Sequence, residues 1–170
     1  KSEVDLVMEN SGDIRFPNIA FSEDALINES YIENPAQRLE FYNHFSRAKT
    51  TDDVLKIKHE LSDRFGNPPV ETKNLLFIAR ARVLFKNTSV SRLSINKAGV
   101  ILVLDDLMPY SSLDKLFSAF GGFSRAEKVN HAFGKTKSGK LSVSFSTTGI
   151  VPSMGLLLKC SRLFLNKNNK

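Results

Sequence analysis

Cysteine is almost absent from this sequence, since Cys160 is the only one among 170 residues. A single cysteine cannot form an internal disulfide, which argues against a disulfide-stabilised secreted domain and favours a reducing compartment. We expect Cys160 to serve as a small apolar residue in a helix. No apolar run reaches the 18 or so residues of a membrane span, and residues 1–10 lack the apolar run of a signal peptide. These absences predict a cytoplasmic protein without a membrane partner.

Metal-binding and nucleophile motifs are missing as well. The three histidines, His44, His59 and His131, have no ligand spacing to one another or to Cys160. No local signature of a Ser-His-Asp set is present. We therefore expect this chain to contain no metal site and no catalytic residue.

One segment has the spacing of a phosphate-binding P-loop without the rest of the motif. Gly134 is followed after four residues by Gly139 and Lys140. The motif next requires Ser or Thr and then a helix, but Leu141 and a strand-like segment follow instead. A hairpin turn explains these residues better, so we expect no nucleotide and no other cofactor in this chain.

The charge is distributed unevenly along a sequence of otherwise ordinary globular composition. Hydrophobic residues make up 41% and charged residues 25% of the chain, and 170 residues suffice for one domain with a core. Residues 1–85 contain 11 basic and 14 acidic side chains, whereas residues 86–170 contain 13 and 4. Such a split is typical of faces with different partners, although a merely soluble basic surface would look the same.

Cap residues and apolar spacing predict two helices between residues 34 and 65. The first begins at Pro35 with Asn34 as its N-cap, and Thr51 is expected to cap the second. Residues at helical spacing predict the buried stripes, which are Leu39, Tyr42 and Phe45 in the first helix and Val54, Ile57, Leu61 and Phe65 in the second.

A strong stop signal separates the second predicted helix from a third. Gly66 can adopt the positive φ that commonly ends a helix, and the two prolines that follow prevent continuation. Pro68 or Pro69 then opens a third helix that runs to about Lys86 and is apolar over a wide arc. Gly66 and Pro69 are therefore the structural residues of this turn.

The apolar period changes after the third helix. Residues 91–95 and 100–104 flank a turn at 96–99 and predict a β-hairpin, and a second hairpin surrounds residues 134–140. Between them, a helix is expected to start at Ser111 or Ser112 and to stop at the glycine pair 121–122, and Pro152 opens a last helix. We also considered a strand over residues 1–8 and a loop over residues 9–34.

These elements predict an α+β fold. An N-terminal three-helix segment is followed by β-hairpins and two further helices, with the sheet packed on helices.

Two carboxylates stand just before the stop signal of the second helix. At 100° per residue, Asp63 lies nearly opposite the apolar stripe, and Glu60 lies beside it. We therefore expect the pair on one exposed face, near the helix end where the dipole disfavours negative charge. The residues alone favour a solvent-exposed face whose negative charge is partly offset by Lys56 and Arg64. The alternative is that the pair binds a basic partner.

Residues 31–84 resemble the C-terminal (TRCF) domain of bacterial transcription-repair coupling factors (Mfd), and the hairpin through Leu104 follows in register. The matching motifs are ordered along the chain and include Tyr31-Ile32, Arg38-Leu39, Tyr42, 48-AKT-50, Glu60-Leu61, 63-DRFG-66, Pro69, Leu75-Leu76 and Ala79-Arg80. Beyond Asp105 the similarity is faint. By this resemblance, residues 1–30 are a linker or strand from a preceding motor region, and residues 31–170 are the regulatory domain.

The resemblance implies a non-catalytic, autoinhibitory domain of a larger machine. The parent protein of the family is an ATP-driven DNA translocase that binds double-stranded DNA, removes stalled RNA polymerase and recruits the excision-repair protein UvrA. ATP and Mg²⁺ belong to its motor domains. The C-terminal domain packs on a UvrB-like N-terminal module, and the family's acidic contacts to that module match Glu60 and Asp63.

An alternative hypothesis is that the basic C-terminal segment binds nucleic acid. The segment 124–170 has nine basic residues and one acid, so it could form a nucleic-acid-binding module that contacts phosphates. No stacking platform is recognisable in it, because its phenylalanines have core-like spacing.

Overall fold

The computed structural model describes residues 14–105 and 110–165, which form two compact units. The helical unit comprises Ile14 and residues 23–84, and the sheet unit comprises residues 15–22 and 85–165. The α+β class is confirmed. No helix in the described residues is both long enough and apolar enough to cross a bilayer.

Three helices dominate the helical unit: α1 is Pro35–Arg47, α2 is Thr51–Phe65 and α3 is Val70–Leu84. Asn34 caps α1 as predicted, because its side-chain oxygen accepts hydrogen bonds from the amides of residues 36 and 37. The cap of α2 is Thr50 rather than Thr51. Thr50 and Asp53 satisfy each other's backbone amides in a capping box, which moves the helix start by one residue.

The core of the helical unit differs from prediction in α1. Phe41 and Phe45 are buried, whereas Leu39 is 62% exposed. The sequence of α1 offers two apolar stripes, and the larger phenylalanine side chains occupy the core face, where Phe41 packs edge-on against Phe65 at 5.8 Å. The predicted stripe of α2 is confirmed at Val54, Ile57 and Leu61.

A five-stranded mixed sheet forms the sheet unit, in the order β1-β2-β3-β5-β4. Its elements are β1 (Asn18–Phe21), β2 (Val90–Asn96), β3 (Gly99–Leu104), α4 (Tyr110–Glu127), β4 (His131–Lys135), β5 (Leu141–Ser146), α5 (Ile150–Cys160) and α6 (Arg162–Leu165). Both predicted hairpins are present, and among the described strands β1 alone pairs in parallel, with β2.

Strand β1 differs from the loop that the sequence predicts over residues 9–34. Four residues are too few to show a period, and their pairing with β2 is set by contacts far along the chain. The strand considered over residues 1–8 lies outside the described residues.

The glycine pair does not end α4, contrary to prediction. The helix continues through Gly121 and Gly122 to Glu127, since Phe120 and Phe123 on either side pack against Phe145 of the sheet. This packing outweighs the roughly 1 kcal/mol that each glycine costs in a helix.

Two hydrogen bonds typical of a Schellman motif close the real end of α4. The amide of Lys128, whose φ is +54°, donates to the carbonyl of Arg125. The amide of Val129 donates to the carbonyl of Ser124. A lysine therefore occupies the position where a glycine signal was expected.

Helix α5 begins two residues before Pro152, and the short helix α6 follows it. Cys160 is buried at the end of α5, as predicted, and burial raises its thiol pKa to about 12. The thiolate is therefore disfavoured, which agrees with an apolar packing role.

Candidate interdomain contact site

Helix α2 presents Glu60 and Asp63 on its last two turns. Its capping box fixes the start of the helix, and the buried Val54, Ile57 and Leu61 fix its rotation. Asp63 consequently points away from the core and is exposed, as predicted. In the part of the chain that the structure describes, the carboxylate of Asp63 has neither an ion-pair nor a hydrogen-bond partner.

Glu60 differs from the prediction because it is only partly exposed and has local partners. Its carboxylate accepts a hydrogen bond from Nη1 of Arg64 at 2.7 Å, one helical turn ahead. Nδ1 of His44 on α1 lies 3.8 Å from its other oxygen. The Glu60 side chain remains 38% exposed, so it is oriented by its neighbours yet still accessible.

Arg64 holds Glu60 in place because its own position is fixed by aromatic rings. The guanidinium carbon lies 5.3 Å from the centroid of Phe41 and 5.1 Å from that of Phe65, which are cation–π distances. Of the two basic residues expected to offset the charge of the acidic pair, Arg64 is confirmed as a partner of Glu60. The i, i+4 spacing of Glu60 and Arg64 is a signal in the sequence, whereas His44 belongs to another helix and carried no such signal.

The turn after α2 is built around Gly66. Its φ of +80° confirms the predicted positive value, although its ψ of −167° is extended rather than left-handed helical. The hydroxyl of Tyr31 shares its single proton between two carbonyls, that of Gly66 at 2.8 Å and that of Leu61 at 3.1 Å. Partial burial raises the Tyr31 pKa above its ordinary 10.0.

Pro69 precedes the third helix rather than forming its first residue. Its carbonyl accepts a hydrogen bond from the amide of Lys73 at 2.9 Å, which makes it the cap of α3. This turn and the Tyr31 hydroxyl fix the C-terminal end of α2, and with it the direction of both acidic side chains.

The P-loop-like segment forms the turn of the second hairpin, as predicted. The amide of Thr136 donates to the carbonyl of Lys140 at 2.8 Å, and strand β5 follows directly. Lys140 lies 3.6 Å from a carboxylate oxygen of Asp105. Among the described residues, no group of three or more His, Cys, Asp and Glu side chains is arranged to hold a metal ion.

Comparison with protein families points to one group. The model of the TRCF domain matches residues 21–112, which is more than half of the chain. Transcription-repair-coupling factors align with parts of it. The Escherichia coli protein is 35% identical over 78 residues, or 46% of this chain. The Bacillus subtilis protein is 30% identical over 83 residues, or 49% of this chain. The chain spans only 7% of the length of these relatives.

Two further matches extend beyond the family model. The transcription-repair-coupling factor of Staphylococcus aureus is 26% identical over 125 residues, which cover 72% of this chain and 11% of that protein. A crystal structure of the C-terminal domain of a transcription-repair coupling factor superposes with a TM-score of 0.66 at 18% identity. The superposition covers 90% of this chain and 98% of the solved chain. The two chains therefore share a fold that includes the residues beyond Asp105, where the sequence similarity is faint.

Proposed function

Because this chain belongs to the TRCF domain family, we propose that it is a non-catalytic regulatory domain at the C-terminal end of a transcription-repair coupling factor. The parent protein is an ATP-driven DNA translocase of the cytoplasm that removes stalled RNA polymerase and recruits UvrA for nucleotide-excision repair. In its resting state this domain packs on a UvrB-like N-terminal module. The contact hides the UvrA-binding surface and restrains the motor, whose domains hold ATP and Mg²⁺.

The exposed carboxylate of Asp63 beside the oriented carboxylate of Glu60 is the observation that supports this proposal. Glu60 is already held by Arg64 at 2.7 Å, so it would lose little side-chain entropy on binding a basic surface. Asp63 is solvated and without a partner in the described residues, so its full charge is available. Arg64 offsets part of the charge of Glu60, and we therefore assign the larger share of the contact to Asp63.

The test reverses both charges in the full-length parent protein. Glu60→Arg with Asp63→Arg would face a basic module with like charge, which can cost several kcal/mol across an interface. We expect the resting state to open, UvrA to bind in the absence of RNA polymerase, and basal ATPase activity to rise. UvrA binding by pull-down and titration, together with ATPase rates, measures these effects.

Glu33→Arg with Glu40→Arg is the matched control, because both are exposed acids outside α2 and this double reversal changes the net charge equally. Asp63→Arg alone is the cleaner single variant, since Glu60→Arg also places two like charges at i, i+4 and disturbs Arg64. A folded double variant that binds UvrA no better than the wild type would reduce the pair to a solvated face.

A further inference from the structure

Strand β4 forms one edge of the five-stranded sheet and is largely open to solvent. It pairs with β5 on one side, and no described strand pairs with its other side. Ala132, Phe133, Gly134 and Lys135 are all exposed. An open edge presents unpaired backbone donors and acceptors, which can bind an added strand.

The pairing register identifies which backbone groups point outward. The amide of Ser146 donates to the carbonyl of Asn130, and the amide of Thr136 donates to the carbonyl of Lys140. Hydrogen-bonded pairs alternate along an antiparallel ladder, so the even-numbered residues of β4 bond to β5. The amides and carbonyls of His131, Phe133 and Lys135 therefore face the open side.

An apolar surface adjoins this edge on the side of α4. Phe133 is 40% exposed, and its ring packs against that of Phe117 with 4.5 Å between centroids. Phe117 is itself only partly buried. A strand added beside β4 would point alternate side chains toward these two rings.

Positive charge surrounds the same edge. Residues 128–140 contain four lysines and no acidic residue. Lys140 is near Asp105, but Lys128, Lys135 and Lys137 are exposed and have no acidic partner among the described residues. Lysines at an edge oppose pairing with an equally charged strand, yet they attract an acidic one.

We propose that the open edge of β4 is a docking site for an extended acidic peptide segment of a partner protein. The segment adds a strand to the sheet through the outward backbone groups of His131, Phe133 and Lys135. Its apolar side chains contact Phe117 and Phe133, and its carboxylates face the lysines. A second copy of this chain fits poorly, because each copy would bring the same lysines to the interface. A nucleic acid would satisfy the lysines but not the row of backbone groups.

The first experiment follows backbone amides of the 170-residue chain by NMR and hydrogen exchange. The probe is a capped peptide of alternating glutamate and valine, matched in length to β4. We expect saturable shifts and slower exchange at His131, Phe133 and Lys135. The amides of Ala132 and Gly134, already bonded to β5, should change little in protection. A lysine–valine peptide and a glutamate–proline peptide are the probe controls.

Variants then separate the charge from the backbone contact. Lys135→Ala removes a charge and should weaken binding about threefold. Lys135→Pro also removes an outward N–H but no ladder bond, and should weaken binding about fivefold more. Lys135→Glu with Lys137→Glu should lower the affinity about tenfold. Arg92→Glu with Arg162→Glu is the control, because it changes the net charge equally away from β4.

Several outcomes would overturn the proposal. One is the absence of saturable shifts up to about 1 mM peptide. Others are protection that maps away from β4, and equal weakening by the two double charge reversals. If oligothymidylate protects the β4 amides and displaces the peptide, the edge belongs to a nucleic-acid interface instead. If the Lys135→Pro variant does not fold, the amide protection measured in the wild-type chain tests the proposal by itself. Amide protection and peptide affinity do not depend on Glu60 or Asp63, so they test this docking site separately from the proposed function.

Discussion

The helical unit and the sheet unit differ in charge and in the kind of internal contacts that stabilise each of them. Residues 23–84 contain nine basic and ten acidic side chains, whereas residues 15–22 and 85–165 contain twelve and four. The helical unit relies on local features such as the Asn34 cap of α1, the capping box of α2 and the Gly66 turn. The sheet unit depends on strand pairs and aromatic contacts between distant residues. The acidic pair proposed as an interdomain contact lies in the helical unit, and the basic strand edge proposed as a docking site lies in the sheet unit.

The largest expected effect tests whether the aromatic core supports the sheet unit. Phe120 is fully buried and contacts Phe145 and Phe164, so Phe120→Ala should lower the free energy of unfolding by about 3–5 kcal/mol. Chemical denaturation measures this value. Phe133→Ala at the open edge is the control and should cost much less. Equal losses for the two variants would contradict the placement of the core.

The two kinds of glycine provide a second contrast between the units. Gly66 has a φ of +80° and open space around its missing Cβ, so Gly66→Val should cost about 1–3 kcal/mol through backbone strain alone. Gly121 also has open space but lies within α4, so Gly121→Ala should stabilise the protein by about 0.5–1 kcal/mol. Thermal melts of both variants measure the effects. A neutral Gly66→Val would show that the turn tolerates a side chain.

The capping box of α2 should give a smaller effect with a defined pH dependence. Thr50→Ala removes the cap and should cost about 1 kcal/mol. The backbone amide of Lys49, followed by the Thr50 side chain and amide, lowers the Asp53 pKa below its ordinary 3.8. This contribution to stability is present above the unfolded pKa and is lost as pH falls through the folded pKa. Unfolding measured from pH 6 to pH 2 should show less acid sensitivity in Asp53→Asn.

The smallest effects are expected for nucleotide and DNA binding by the isolated chain. We expect no ATP hydrolysis, because Leu141 replaces the hydroxyl residue that the P-loop motif requires. DNA binding should be weak, independent of sequence and abolished by salt. DNA-stimulated ATPase activity that is lost in Lys140→Ala would contradict the expected lack of hydrolysis. Tight DNA binding at high salt would favour the nucleic-acid-binding module of residues 124–170.

The sequence by itself determined the features that depend on neighbouring residues. The Asn34 cap, the positive φ of Gly66, both hairpins and the exposed position of Asp63 are each set within a few residues or by one helical period. The resemblance over residues 31–84 and through Leu104 is now supported by the family match over residues 21–112. The interdomain role of Glu60 and Asp63 stays a prediction.

Only the tertiary structure decided features that depend on distant partners. Strand β1 exists because β2 pairs with it. Helix α4 continues through Gly121 and Gly122 because neighbouring phenylalanines pack on β5. Glu60 lies 3.8 Å from Nδ1 of His44 on another helix and is bonded to Arg64, and the outward groups of β4 follow from its place at the sheet edge. Packing and pairing energies between distant residues exceed local propensities of about 1 kcal/mol, so local sequence could not reveal these features.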